Sequence, residues 1–183
     1  MFFDTGAYAD IGPRIVHKSG YTSAGPYRIL NVWIDSFCVY TNKPPAGAFR
    51  GFGVPQVIWA YESQMDIISR ELDIDPVQFR MRHALNEGEP FATGTPVHSF
   101  GLKESIEQAA QAIEWSRPRP PKKTQRVRGK GIASGVKAVL TPSISGAIVM
   151  MNADGSVNVL SSTVEMGQGS DTVLAQIAAE ELG

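Results

Sequence analysis

Two glycine-rich loops hold the residues of this 183-residue chain whose types and spacing are suited to chemistry. The first is Gly47-Ala48-Phe49-Arg50-Gly51-Phe52-Gly53. Its glycines let the main chain take positive φ and approach a ligand without Cβ clashes. A guanidinium and two phenyl rings stand between them. A planar aromatic molecule would stack on such a ring, and an anionic or oxo group would accept hydrogen bonds from Arg50 or neighbouring amides. The spacing serves equally well for a tight strand-to-helix turn with Phe49 and Phe52 in the core. The second loop is Glu165-Met166-Gly167-Gln168-Gly169-Ser170-Asp171-Thr172. Gln168 offers one acceptor and two donors, which suits the edge of a heterocycle. Ser170, Asp171 and Thr172 either bind phosphate or cap the helix that follows. There is no Walker-type lysine and no G-x-G-x-x-G spacing, so neither common nucleotide motif accounts for the loop.

Other chemistries find less support. His17, His83 and His98 are scattered, without a second ligand type at metal-binding spacing. No serine sits in a nucleophile-elbow pattern. Glu62, Asp66, Glu71 and Asp73 are spaced as a solvated helix face. Cys38 is the single cysteine, which excludes an internal disulfide or a cysteine-ligated cluster made by this chain alone. Its apolar neighbours predict a buried structural thiol.

The loops need elements to position them. Residues 27–40 are rich in β-branched and aromatic side chains and predict one long or bent strand, ended by Asn42-Lys43-Pro44-Pro45. Residues 1–30 are mixed and broken by glycines. After the first loop, Ile58, Tyr61, Met65, Ile68 and Leu72 recur at helical spacing and predict a helix over 55–72, with Asp66 and Arg70 able to pair. A second helix starts at Asp75-Pro76 and runs to about Leu85, because a capping residue precedes a proline at the first helical position. A third spans Leu102 to Trp115. Gly146–Asn152 and Ser156–Thr163 read as a hairpin around Ala153-Asp154-Gly155. Thr172 to Leu182 reads as a closing helix. The fold class is α+β, with mixed sheets and packed helices.

Composition bounds the rest. Hydrophobic residues make up 43% and charged residues 19%, ordinary for a globular domain. Apolar runs are too short to span a membrane, and no signal peptide is evident at the start. The net charge of −1 hides seven basic residues and no acid between Arg117 and Lys130. Elsewhere 10 basic residues face 18 acidic ones. With Pro118, Pro120 and Pro121, the basic stretch reads as an extended linker. No aromatic is interleaved to stack a base, so nucleic acid is not an expected partner.

Taken together, the loops resemble one family. Tyr40-Thr41-Asn42-Lys43-Pro44-Pro45 leading into GAFRGFG, then Pro55-Gln56, Glu62, Asp66 and Asp75-Pro76, looks like the molybdopterin-binding subunit of the xanthine dehydrogenase/aldehyde oxidase-type molybdenum hydroxylases. So do Gly129-Lys130-Gly131-Ile132-Ala133, the Asn152–Ser156 turn and the EMGQG loop, in the family's order along essentially the whole chain. The resemblance implies a partial molybdopterin-binding fold in three parts: 1–116 with the GAFRGFG loop, the linker 117–130, and 131–183 with the EMGQG loop. It implies that Phe49, Arg50, Gly51, Met166, Gly167, Gln168 and Gly169 bind the cofactor. Arg50 would lie beside molybdenum without being a side-chain ligand, and Phe52 would stack on aromatic substrates. The implied cofactor is molybdenum-molybdopterin in a dinucleotide form, with 2Fe-2S and FAD carried by partner subunits or domains. The implied reaction hydroxylates an aldehyde or aromatic N-heterocycle with oxygen from water, in the cytoplasm.

The resemblance also sets expectations about what is missing. The family's general base is a glutamate beyond the last residue here, and an upstream glycine-rich loop would precede Met1, so no catalytic residue is assigned. The remainder of the molybdopterin subunit is therefore an expected partner, and the isolated chain is expected to be inactive. A non-catalytic fragment or binding module that keeps only the fold is the alternative. Residues 136–142 fall where the family shapes its substrate pocket, but they lack the phenylalanine of purine oxidisers.

Overall fold

The helical spacing after the first loop does produce a helix, and the residues around it form a core. The computed structural model describes residues 1–118, 128–137 and 144–183, which fall into two units, Met1–Lys137 and Ala138–Gly183. The first unit contains β1 (Phe2–Asp4), α1 (Gly12–Thr22), β2 (Phe37–Val39), α2 (Val54–Glu71), α3 (Pro76–His83) and α4 (Leu102–Ala112). The second contains β3 (Ala147–Met151), β4 (Val157–Ser161) and α5 (Ser170–Leu182). The mixed α+β class expected from the sequence is what the chain adopts. Most of the expected basic linker, and residues 138–142 of the pocket-shaping stretch, lie outside the described residues. No helix among the described residues is long and apolar enough to cross a membrane.

In the first unit α2 is the spine. Val54, Val57 and Tyr61 are buried on one face, joined by Ile15 and Val16 of α1, Phe79 of α3 and Ile106 of α4. Asp75 caps α3 as its position predicts, accepting from the amides of Val77 at 2.9 Å and Gln78 at 3.1 Å. Its second carboxylate oxygen accepts from the Trp115 indole at 2.7 Å, which ties the segment after α4 to the start of α3.

Three expectations are corrected. The strand over residues 27–40 shrinks to β2, which pairs in parallel with β1 in the register Phe2–Phe37 to Asp4–Val39. Tyr27 makes only an isolated bridge to Ala84, and Leu30 and Trp33 are exposed. β-branched composition favours a pleated, packed surface, but it makes a ladder only where a partner strand lies alongside. Second, the mixed N-terminal region holds the amphipathic helix α1, opened by Pro13 near its first turn. Third, Glu62 does not belong to the expected solvated face but is buried, while Asp66 is half-exposed and Glu71 and Asp73 are exposed. Arg80 has a fully buried side chain and donates through Nε to Glu62 at 2.7 Å and through Nη2 to Asp66 at 2.8 Å. The expected Asp66–Arg70 pair is replaced by a bond from Arg70 to the Asp66 carbonyl at 3.4 Å. A buried guanidinium requires charged partners, and that demand outweighs a weak surface pair.

The second unit is a hairpin and a helix. β3 and β4 pair antiparallel from Ala147–Ser161 to Met151–Val157. Asp154 holds the turn by accepting from the Ser156 amide at 2.9 Å. None of the residues of β3, β4 or α5 is buried.

Candidate functional site

The GAFRGFG loop is held at both ends by the first unit. On its N-terminal side the β1–β2 pairing continues past the strands. Thr5 donates to Val39 at 3.0 Å, Thr41 to Gly6 at 3.0 Å, Ala7 to Lys43 at 3.0 Å and Ala46 to Thr5 at 3.1 Å. Asp4 braces this stretch, accepting from Thr41 Oγ1 at 2.6 Å and from the Lys43 ammonium. The Lys43 and Thr41 bonds, with help from the Gly6 amide, hold the Asp4 carboxyl down at about 2. Cys38 proves half-buried rather than buried, with its sulfur 3.3 Å from Thr5 Oγ1.

On the C-terminal side the loop is fixed to α1. The buried Ser19 hydroxyl lies 2.9 Å from both the Ile15 and Gly53 carbonyls, so its single proton is shared between them. Gly53 has φ of 87°, and a Cβ there would stand 2.5 Å from Ser19 Oγ and 2.7 Å from the Ile15 carbonyl oxygen. Only glycine fits between this loop and α1. Phe52 also has positive φ, at 55°, a strained setting for a bulky residue that tends to mark functional positions. Between the fixed ends Phe49 is 84% exposed, which removes the reading that buries it in a core turn. Phe52 is half-buried and Arg50 is exposed. The Phe52 amide donates to Phe49 at 2.9 Å. The amides of Phe49, Arg50 and Gly51 donate to no acceptor among the described residues.

Beneath α2 lies the charged core of the unit. Tyr27 donates a hydrogen bond to Glu62 Oε1, while Arg80 holds Oε2. Burial, then the Glu62 carboxylate, pushes the Tyr27 phenol above its usual value. The Tyr61 hydroxyl donates to the Ser134 carbonyl at 3.0 Å, which secures the segment Arg128–Lys137 against α2. None of these groups belongs to the GAFRGFG loop. They give rigidity to the helix that the loop opens.

The second loop, between β4 and α5, is held by its own side chains. Gln168 Oε1 accepts from the Met166 amide at 2.7 Å. Gln168 Nε2 donates to the Val164 carbonyl at 2.7 Å and to Ser170 Oγ at 2.6 Å. Both donors of the side-chain amide thus turn inward, and one acceptor lone pair has no partner among the described residues. The Glu165 carboxylate accepts from the amides of Gly167, Gly169 and Asp171. Gly167 and Gly169 have φ of 98° and 85°, and space beside Gly169 is open for 4 Å. Met166 is 52% exposed.

Each sequence-predicted residue therefore sits on an exposed arch that opens a helix: Phe49, Arg50, Gly51 and Phe52 before α2, and Met166, Gly167, Gln168 and Gly169 before α5. Sequence reasoning missed Ser19, Asp4 and Glu165, which shape the arches. Only Glu165 carried a local signal, a carboxylate two residues before a glycine pair.

Both arches lie within regions that match known proteins. Models of the molybdopterin cofactor-binding domain match residues 1–84 and residues 103–183. The xanthine dehydrogenase molybdenum-binding subunit of Escherichia coli O157:H7 is 39% identical over 188 aligned positions, covering 98% of this chain and 25% of that protein. The nicotinate dehydrogenase large molybdopterin subunit of Eubacterium barkeri is 44% identical over 62% of this chain and 27% of its own length. Among solved structures, the aldehyde oxidoreductase from Desulfovibrio desulfuricans superposes with a TM-score of 0.74 at 28% identity, over 86% of this chain and 18% of that one. The chain thus spans about a quarter of the length of the curated relatives it matches. With both cofactor-binding models matched in order and each glycine arch inside one of them, the chain belongs to the molybdopterin-binding subunits of the xanthine dehydrogenase/aldehyde oxidase family of molybdenum hydroxylases.

Proposed function

We propose that each arch binds part of a molybdopterin cofactor in an enzyme that hydroxylates an aldehyde or an aromatic N-heterocycle, with water as the oxygen source. The observation that carries this reading is the form of the GAFRGFG loop. It is clamped by Ser19 at one end and by the β1–β2 ladder at the other, yet leaves the amides of Phe49, Arg50 and Gly51 without acceptors among the described residues. Fixed donors aimed at a ligand stabilise charge without having to reorganise. The donor set fits the cofactor: backbone amides and a guanidinium for oxo groups, and open space beside Gly169 for the pterin and its dinucleotide extension. When bound, the molybdenum centre supplies the redox chemistry of carbon hydroxylation.

The chain's own residues then bind and orient. Arg50 presents its backbone beside the metal, and its guanidinium is exposed to take negative charge. Phe49 and Gly51 bind the cofactor on the same arch. Met166, Gly167, Gln168 and Gly169 bind the cofactor through main-chain groups and the remaining Gln168 acceptor. Phe52, half-buried and held in a left-handed conformation, gives an aromatic substrate a ring to stack on. No general base is assigned among the residues of this chain. Electrons leave through 2Fe-2S and FAD groups on partner subunits or domains, in the cytoplasm. The three-part organisation, 1–116, 117–130 and 131–183, belongs to the same reading.

The test is to express the chain within its complete subunit, together with its partner subunits, and to measure molybdenum and pterin. Stoichiometric metal and pterin are expected, and a complete assembly lacking both removes the proposal. Replacing Phe52 with Leu should weaken binding of aromatic heterocycles about tenfold, the size of one stacking interaction, and leave small aliphatic aldehydes unaffected.

A further inference from the structure

The second arch is already occupied by an anion of its own. Gly167, Gly169 and Asp171 point three backbone amides at one carboxylate, that of Glu165. Successive amides in such a turn, backed by a helix N-terminus, form a concavity that attracts negative charge. Residues 144–183 supply no cation to compete for that carboxylate. Their charged groups are Asp154, Glu165, Asp171, Glu180 and Glu181, with no Lys, Arg or His. The amides are therefore the counter-charge that Glu165 finds within its own unit.

We propose that Glu165 is a positioning residue: its carboxylate is the built-in anion of this amide nest, setting the Met166–Gly169 arch before any cofactor arrives and closing the nest to phosphate. The inference rests on the reading of the arch as a cofactor cradle. It adds that the cofactor's phosphate groups are held by other donors, and that Met166, Gly167 and Gln168 meet the cofactor with their outward edges. Gln168 agrees with this, because both donors and one acceptor lone pair of its side chain are taken by Val164, Ser170 and Met166, bracing the same arch from the inside. The amides of Gly169 and then Gly167 also hold the Glu165 carboxyl below the usual glutamate value, as a carboxylate in such a nest requires.

The test follows the amides of Gly167, Gly169 and Asp171 by NMR in the ¹⁵N-labelled full chain. Their exchange should be slow at neutral pH, and the three signals should move together at a single midpoint below the ordinary glutamate range as pH falls. In Glu165→Ala their exchange should quicken about tenfold. Inorganic phosphate should then shift these three signals in the variant while leaving them unmoved in the unaltered chain. Phosphate shifts in the unaltered chain, or amides indifferent to Glu165→Ala, overturn the proposal. If Glu165→Ala loses the β3–β4 hairpin signals, Glu165→Gln and the pH titration of the unaltered chain decide it on the same criteria. Cofactor content of the assembled enzyme is a separate readout. Bound pterin with amides that ignore Glu165 sinks this inference alone, and a locked arch in an assembly without pterin sinks only the cradle.

Discussion

The two arches reach the same outline by different means. GAFRGFG is held from outside: a ladder, a buried hydroxyl and a helix carbonyl leave it no room to move at Gly53. EMGQG is held from inside, by one carboxylate and one carboxamide of its own sequence. The first borrows its order from a core with a fully buried Arg80. The second stands on a hairpin and helix without a buried residue. An arch can thus be preorganised either by packing or by local polar ties, and the two should respond differently to mutation, acid and denaturant.

The largest contrast should come from the core. Replacing Arg80 with Met leaves Glu62 buried without its main partner, and breaking such a pair costs about 3–5 kcal/mol. All three tryptophans, at 33, 59 and 115, lie in the first unit, so tryptophan fluorescence in urea reads that unit alone. The loss should appear there while the exchange of the α5 amides stays unchanged. Equal loss in both units would show that the second arch also depends on the first core.

The two glycines sharpen the comparison further. Gly53→Ala meets the Ile15 carbonyl as well as an unfavourable φ, and should destabilise the first unit by about 3 kcal/mol. Gly169→Ala has a similar φ, 85°, but open surroundings, and should cost only about 1 kcal/mol in local hydrogen exchange. Similar costs at the two sites would erase the distinction between outside and inside support. Ser19→Ala, which withdraws one hydroxyl from the Gly53 carbonyl, should cost about 1 kcal/mol in the same urea titration.

Acid gives the smallest effect. The Asp4 carboxyl is held near 2 in the folded chain, below its ordinary 3.8. A depressed folded value means that Asp4 stabilises the first unit above pH 3.8 and that this contribution is lost as pH falls toward 2. The melting temperature of the first unit should therefore decline across that window by more than in Asp4→Asn. Parallel curves for the two proteins would remove Asp4 as the brace of the Thr41–Lys43 stretch.

Legibility in the sequence followed the range of the interactions involved. α2, the Asp75 cap of α3 and the Asn152–Ser156 hairpin were all readable, because their signals lie within a few residues. The strand expected over 27–40 was not, since its partner supply is a property of the assembled sheet and only Phe37–Val39 lies against β1. Glu62 looked like a surface acid because nothing local shows that Arg80, 18 residues later, is buried against it.

By itself the sequence determined which short stretches can form arches, since glycine spacing, caps and helical periodicity act through neighbouring residues, and its motifs carried the resemblance to a family. Tertiary structure alone decided that Gly53 is wedged against α1, that Phe49 projects while Phe52 is half-covered, and that Glu62 is a core group. Those outcomes depend on contacts between residues tens of positions apart, where steric exclusion and desolvation act and sequence spacing carries no record of either.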